Sequence, residues 1–142
     1  MLKWDNKYEL GNEKIDAEHR IFLGLIVDFQ DASARGEPKE KLIRIFREIS
    51  KYAEFHFLSE ENVMTEYHYP EQAEHAQMHN RLLSEAKDKL YQLVGGNIAP
   101  DDVFEFLFEW FALHTSTEDK KLVGFIGNNM VVNSLVDYAF LK

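Results

Sequence analysis

Four stretches of this chain have helical periodicity, and each carries on its apolar stripe side chains that are costly to bury. They are His19, then His56 with Glu60, then His75 with His79, then His114 with Asp119. Two of these pairs are spaced i,i+4, which on a helix puts both members on one face, a turn apart. An unpaired buried carboxylate costs several kcal/mol or is forced to hold a proton. Stripes that converge around cations escape that cost. Five imidazoles and two carboxylates exceed what one metal normally takes, but suit two metals that share the carboxylates.

The breaks between the stretches define the architecture. An aromatic-containing arm runs from Met1 to Ile15, with Trp4 and Tyr8, and ends near helix caps at Asn12 and Asp16. The first helix is predicted from about Ala17 to Ala34, with His19, Phe22, Leu23, Ile26 and Phe29 on one face. Gly36-Glu37-Pro38 ends it, and Pro38 suits the first turn of a second helix reaching about Glu66. Tyr69-Pro70 separates that helix from a third, which Gly95-Gly96-Asn97 closes; Pro100-Asp101-Asp102 opens the fourth. With no strand-like alternation, the expected fold is all-α. It is an antiparallel up-down-up-down four-helix bundle with an N-terminal arm and a C-terminal extension.

At 142 residues the chain suits a single domain spanning residues 1–142. Residues 123–142 form an extension in which Gly124 and Gly127-Asn128-Asn129 interrupt the helical pattern before the apolar run MVVNSLVDYAFL. That tail could cover a bundle end, meet a second subunit or contact an output domain. A net charge of −9 argues against nucleic acid and anionic membrane surfaces as partners. The absence of cysteine removes disulfides, thiolate zinc sites and iron–sulfur clusters. With no apolar signal core and no membrane span, a cytoplasmic location is expected.

The donor set narrows the metal. Imidazole suits iron, zinc, copper and nickel, carboxylates favour harder ions, and the mixture points to iron first. The His-Glu-x-x-His zinc motif is absent, as is the repeated Glu-x-x-His pair of ferritin-like di-iron bundles. Taken singly, each residue has a plainer reading. A lone histidine on an apolar face is more often a hydrogen-bonded core residue, and Asp119, beside Glu118 and Lys120, could be a solvated helix end. Their joint occurrence on every inward stripe favours the pocket. His68, in the break before Pro70, reads as a surface histidine. Asp119, at i+5 from His114, does not share its face cleanly and is expected to approach the metals from the side.

Ile15-Asp16-Ala17-Glu18-His19, the run His56 to Met64, Tyr69-Pro70, His75 with His79, and Trp110, His114 and Asp119 agree in order and spacing with one known family. Over roughly residues 4 to 122 the chain resembles the hemerythrins, most closely the bacterial ones. The resemblance implies a non-haem di-iron site that binds O2 reversibly. It further implies that His75, His79 and His114 hold one iron and that His19 and His56 hold the other. Glu60 and Asp119 would bridge the pair together with an oxo or hydroxo group. O2 would be taken up as hydroperoxide at the second, open iron. Phe22, Phe57, Trp110 and Thr115 are candidates for the O2 pocket, although each of the three aromatics also suits a core position. Hemerythrins commonly carry isoleucine directly after the fourth helix's histidine, and here that position is Thr115.

Binding O2 leaves the physiological use open. A stand-alone protein for storage, delivery or scavenging fits the near-complete coverage of the chain. A sensor module coupled to a partner or fused output domain fits the apolar tail and Thr115. A di-iron enzyme of ferroxidase or peroxidase type would call for a carboxylate-richer site, so the expectation is a binding protein, not an enzyme.

Overall fold

In the computed structural model, which describes residues 3–128, α1 (Glu13–Ala34), α2 (Lys39–Glu66), α3 (Gln72–Val94) and α4 (Pro100–His114) form an all-α four-helix bundle. α1 and α3 each pack against both α2 and α4, which closes the four into a ring. No strand occurs among the described residues.

Helix starts follow local chemistry. α1 begins at Glu13, a turn ahead of expectation, because Asn12 Oδ1 accepts from the Ile15 N–H at 3.0 Å. Asp16, the other expected cap, lies inside the first turn and accepts from the N–H groups of Leu10 and Gly11. Ile15 therefore belongs to the helix and is buried, so the arm ends at Asn12. Pro38 stands one residue ahead of α2, its carbonyl accepting from Lys41 and Leu42, whereas Pro100 is the first residue of α4.

Three helix ends share one device. After α1, α2 and α3 a residue with positive φ turns the chain out of the helix: Gly36 (71°), His68 (53°) and Gly96 (74°). In each, the following residue's N–H returns to a carbonyl five residues back: Glu37 to Ala32, Tyr69 to Met64, Asn97 to Gln92. His68 is exposed, as expected, but it occupies a conformation that costs a non-glycine residue about 1–2 kcal/mol. His68→Gly is expected to stabilise the fold by about 1 kcal/mol, read as a raised denaturant midpoint at unchanged slope. A lowered midpoint would mean that the imidazole makes a contact worth more than the strain.

Two apolar clusters flank the ligand-type side chains. The larger contains Phe29, Phe46, Ile49, Leu93, Val103 and Leu107. The smaller joins Ile15, Met64 and Tyr69 to Leu122, Val123 and Ile126. These last three belong to residues 120–128, which stay helical through Gly124 and up to Asn128, where the sequence pattern had suggested interruption. The run MVVNSLVDYAFL lies outside the described residues. At the opposite flank the arm folds back, with Tyr8 buried and its ring 5.5 Å from that of Phe111.

Candidate metal centre

All seven predicted ligands converge between the two clusters, and all are buried. His56 and Glu60 come from one face of α2, His75 and His79 from one face of α3, and His19 from α1. His114 ends α4, and Asp119 ends a π-helical turn over Thr115–Asp119. That turn corrects the expected sideways approach. A π turn takes more residues than an α turn, so i+5 returns to the face of His114, and Asp119 Oδ1 lies 3.1 Å from His114 Nε2. The cause is local. The hydroxyls of Ser116 and Thr117 donate back to the Leu113 carbonyl, at 3.2 and 2.7 Å, and compete with the ordinary helical bond there.

The two carboxylates each divide between two groups of histidines. Glu60 Oε1 lies 3.1 Å from His79 Nε2 and 3.6 Å from His75 Nε2. Glu60 Oε2 lies 3.3 Å from His56 Nε2 and 3.7 Å from His19 Nε2. Asp119 repeats the pattern, with Oδ1 3.1 Å from His75 and Oδ2 2.9 Å from His19. Two donor groups result. One comprises Glu60, Asp119, His75, His79 and His114; the other comprises Glu60, Asp119, His19 and His56.

Hydrogen bonding alone serves this set badly. Nε2 of His19 and His56, both Glu60 oxygens and Asp119 Oδ2 are buried without a hydrogen bond, although His19 and Asp119 approach to 2.9 Å. Meanwhile His56 Nδ1–H donates to Glu18 Oε1 at 2.7 Å, and His79 Nδ1–H donates to Glu61 Oε2 at 2.9 Å. With Nδ1–H committed outward, it is Nε2 of each ring that faces the inward acceptors, and it offers a lone pair once it carries no proton. Such convergence of lone pairs fits cations, and the split carboxylates fit two of them.

The electrostatics agree. Burial by itself would lower His56, but the Glu60 charge and the bond to Glu18 outweigh it and raise the ring to about 10. His75 is likewise raised to about 9, its burial outweighed by bonds to Asp119 and Glu60. Burial would raise Glu60, yet the neighbouring histidines hold it well below the usual carboxylate range. His19 is raised as well, by Asp119 and Glu60 against its burial, so these three rings must give up protons when they take cations. Metal uptake near pH 7 is expected to release protons, measurable by calorimetry in buffers of different ionisation enthalpy. Uptake without proton release would show that these rings stay outside the coordination.

A cavity of about 10 Å³, room for roughly one water-sized molecule, adjoins this centre. It touches both histidines of the four-donor group, His19 and His56, and of the other group's histidines only His114, so it leans toward the four-donor group. Phe22, Phe57, Trp110 and Thr115, the expected pocket residues, all line it. Phe57 also stacks on His79 at 3.9 Å, so it serves as core and as wall. Sequence reasoning missed Phe111, which lines the cavity and meets His19 edge-on at 5.8 Å. Its register, three residues before His114, was the available signal. Glu18, Ser59 and Glu61 were missed as well; Ser59 Oγ donates to Glu18 Oε2 at 2.9 Å.

Comparison with known proteins agrees with this geometry. The family model "Hemerythrin HHE cation binding domain" matches residues 10–126. A myohemerythrin of Theromyzon tessulatum is 26% identical over 122 residues, covering 86% of this chain and 91% of that protein. A bacteriohemerythrin of Clostridium acetobutylicum is 23% identical over 137 residues, covering 87% and 99%. A crystal structure of wild-type hemerythrin superposes with a TM-score of 0.76 at 21% identity, covering 84% of this chain and 93% of the other.

Proposed function

The chain belongs to the hemerythrin family, and on that premise we propose that it binds O2 reversibly at a non-haem di-iron centre in the cytoplasm. Glu60 and Asp119 would span two irons, with His75, His79 and His114 on one and His19 and His56 on the other. The observation that carries this reading is the small, aromatic-walled cavity bordered by both histidines of the four-donor group, His19 and His56, and by only one histidine, His114, of the other. When bound, a ferrous pair supplies the two electrons that O2 takes up on binding and returns on release. The chain's own part is to orient, to dry and to limit protons. Glu18 and Glu61 hold His56 and His79 in the tautomer that points Nε2 inward. Phe22, Phe57, Trp110 and Phe111 keep water from the cavity, and no spare carboxylic acid lines it. This favours holding O2 over turning it over.

The test is optical. Iron-loaded protein, reduced anaerobically and exposed to O2, should develop a ligand-to-iron charge-transfer band at one O2 per two irons. The band should vanish on deoxygenation; irreversible bleaching or sustained O2 consumption would replace this reading with an enzymatic one. Thr115 is the only hydroxyl among the described residues on the cavity wall. A donor there is worth about 0.5–1.5 kcal/mol, so Thr115→Ile should slow irreversible oxidation about three- to tenfold. An unchanged decay of the band would remove the hydroxyl from the account.

One observation favours a sensor use of the same centre. Asp119 leads directly into the helical residues 120–128, whose apolar side chains pack beside the site and whose continuation is the apolar tail. A tail whose protease sensitivity differs between reduced and oxidised protein would support signalling, and identical digestion would favour storage or delivery.

A further inference from the structure

Away from the metal centre, the seam between α2 and α3 holds a groove of about 600 Å³, the size of an ordinary small-molecule site. It is lined by Arg47, Ser50, Lys51, Glu54, Ser84 and Lys87, with Leu83 and Leu90 as its apolar patch. No residue of it belongs to either donor group. Three cations against one carboxylate make the groove positive on a chain whose net charge is −9. The larger groove between α3 and α4 has the opposite sign, with Glu85, Glu109 and Glu118 against Lys121. Within the α2–α3 groove most of the charge is unpaired. Lys51 reaches Glu54 at 3.3 Å, but Arg47 and Lys87 have no carboxylate partner among the described residues. Lys87 Nζ stands over the Tyr91 ring at 6.0 Å. Arg47 and Lys51 are i,i+4 on α2, a spacing at which like charges repel and destabilise a helix. A bound anion relieves that repulsion. Ser50 lies between the two in sequence. A serine within a helix can return its hydroxyl to a carbonyl one turn back, whereas Ser50 Oγ is buried without a partner.

We propose that the α2–α3 groove binds a small phosphate monoester with an apolar body. The phosphate sits among Arg47, Lys51 and Lys87, whose guanidinium and ammonium groups donate charge-assisted bonds to several oxygens at once, and Ser50 adds its hydroxyl. A carboxylate brings two oxygens and a single charge, and answers three cations less well than a phosphate near its dianionic form. Leu83 and Leu90 take the apolar body. The assignment stands apart from the O2-binding reading, since the groove shares no residue with the metal centre.

Adenosine monophosphate is the probe, added to the full chain loaded with zinc, which is diamagnetic, and followed by backbone amide NMR. Saturable shifts are expected at residues 47–54 and 83–90. Arg47→Gln should weaken binding about tenfold, the loss of one hydrogen-bonded charge. Glu54→Gln removes the groove's one carboxylate and should tighten binding about two- to threefold. Arg35→Gln deletes the same charge outside the groove and should leave the affinity as in the parent. Arg47 and Glu54 are both exposed, so neither variant threatens the fold. Inorganic phosphate should shift the same amides severalfold more weakly, and equal affinity would overturn the apolar half of the assignment. No saturable shift in the groove, or equal weakening by Arg35→Gln and Arg47→Gln, would overturn the site and leave only general attraction of an anion. Shifts confined to the histidine ligands would report chelation of the metal and would overturn it too.

Discussion

Glu60→Ala is expected to strip both halves of the metal centre, taking the iron content from two ions per chain to fewer than one. The reason is geometric. Glu60 Oε1 serves His75 and His79, and Oε2 serves His19 and His56, so one substitution removes an anionic donor from each group. Asp119 alone would then face five imidazoles in a buried pocket. The folded chain also loses the stabilisation a bound ligand confers, about 4 kcal/mol at a thousandfold excess over Kd. For a domain of this size that corresponds to a melting temperature lower by about 12–20 °C. Glu60→Gln keeps the shape and one oxygen but not the charge, and should retain part of the metal. Elemental analysis after loading, with thermal unfolding of the same samples, decides the matter. Two full equivalents of iron in Glu60→Ala would reduce Glu60 to a counter-charge and remove the bridged centre.

The bundle and the seven converging side chains were legible because apolar stripes and Gly/Pro breaks are local signals. His56 with Glu60 and His75 with His79 share faces at an i,i+4 spacing that any regular helix enforces. Asp119 was less legible, since its placement depends on a departure from the α-helix. Ser116 and Thr117 carry hydroxyls that bond back to Leu113, but sequence periodicity assumes 3.6 residues per turn and hides the consequence. The start of α1 was misplaced because Asn12 and Asp16 both suit a cap, and only the backbone settles which of them caps the helix. Phe111 and Tyr8 could not be joined from sequence, because their contact needs the arm to fold back onto α4. Glu18 was overlooked for a plainer reason. An acidic residue beside an inward position usually faces solvent, and nothing in the spacing says that it reaches His56 on another helix.

That overlooked contact yields the second large effect, one that separates the two metals. In Glu18→Ala, His56 Nδ1–H and the Ser59 hydroxyl both lose their acceptor in a buried place. The His56 ring is then free to turn Nε2 away from Glu60. Losing such a partner typically costs about 10–100-fold in metal affinity. The loss should fall on the half built from His19 and His56, because Glu18 touches no residue of the other histidine set. A chelator titration that removes the two metals together from the parent should become two-phased. Glu61→Ala is the mirror image, acting through His79 on the opposite half. Glu18→Gln, whose amide oxygen can still accept from His56, should show a milder split. Tyr52 supplies an independent check. Burial, and then the Glu18 charge, push its phenol up to about 12, and its hydroxyl donates to the Glu18 backbone carbonyl, which alanine retains. In Glu18→Ala the phenol should therefore ionise at lower pH while the backbone contact persists. If both metals weaken equally, with Tyr52 shifted as described, the two halves are coupled through Glu60 and Asp119 more tightly than through their own histidines.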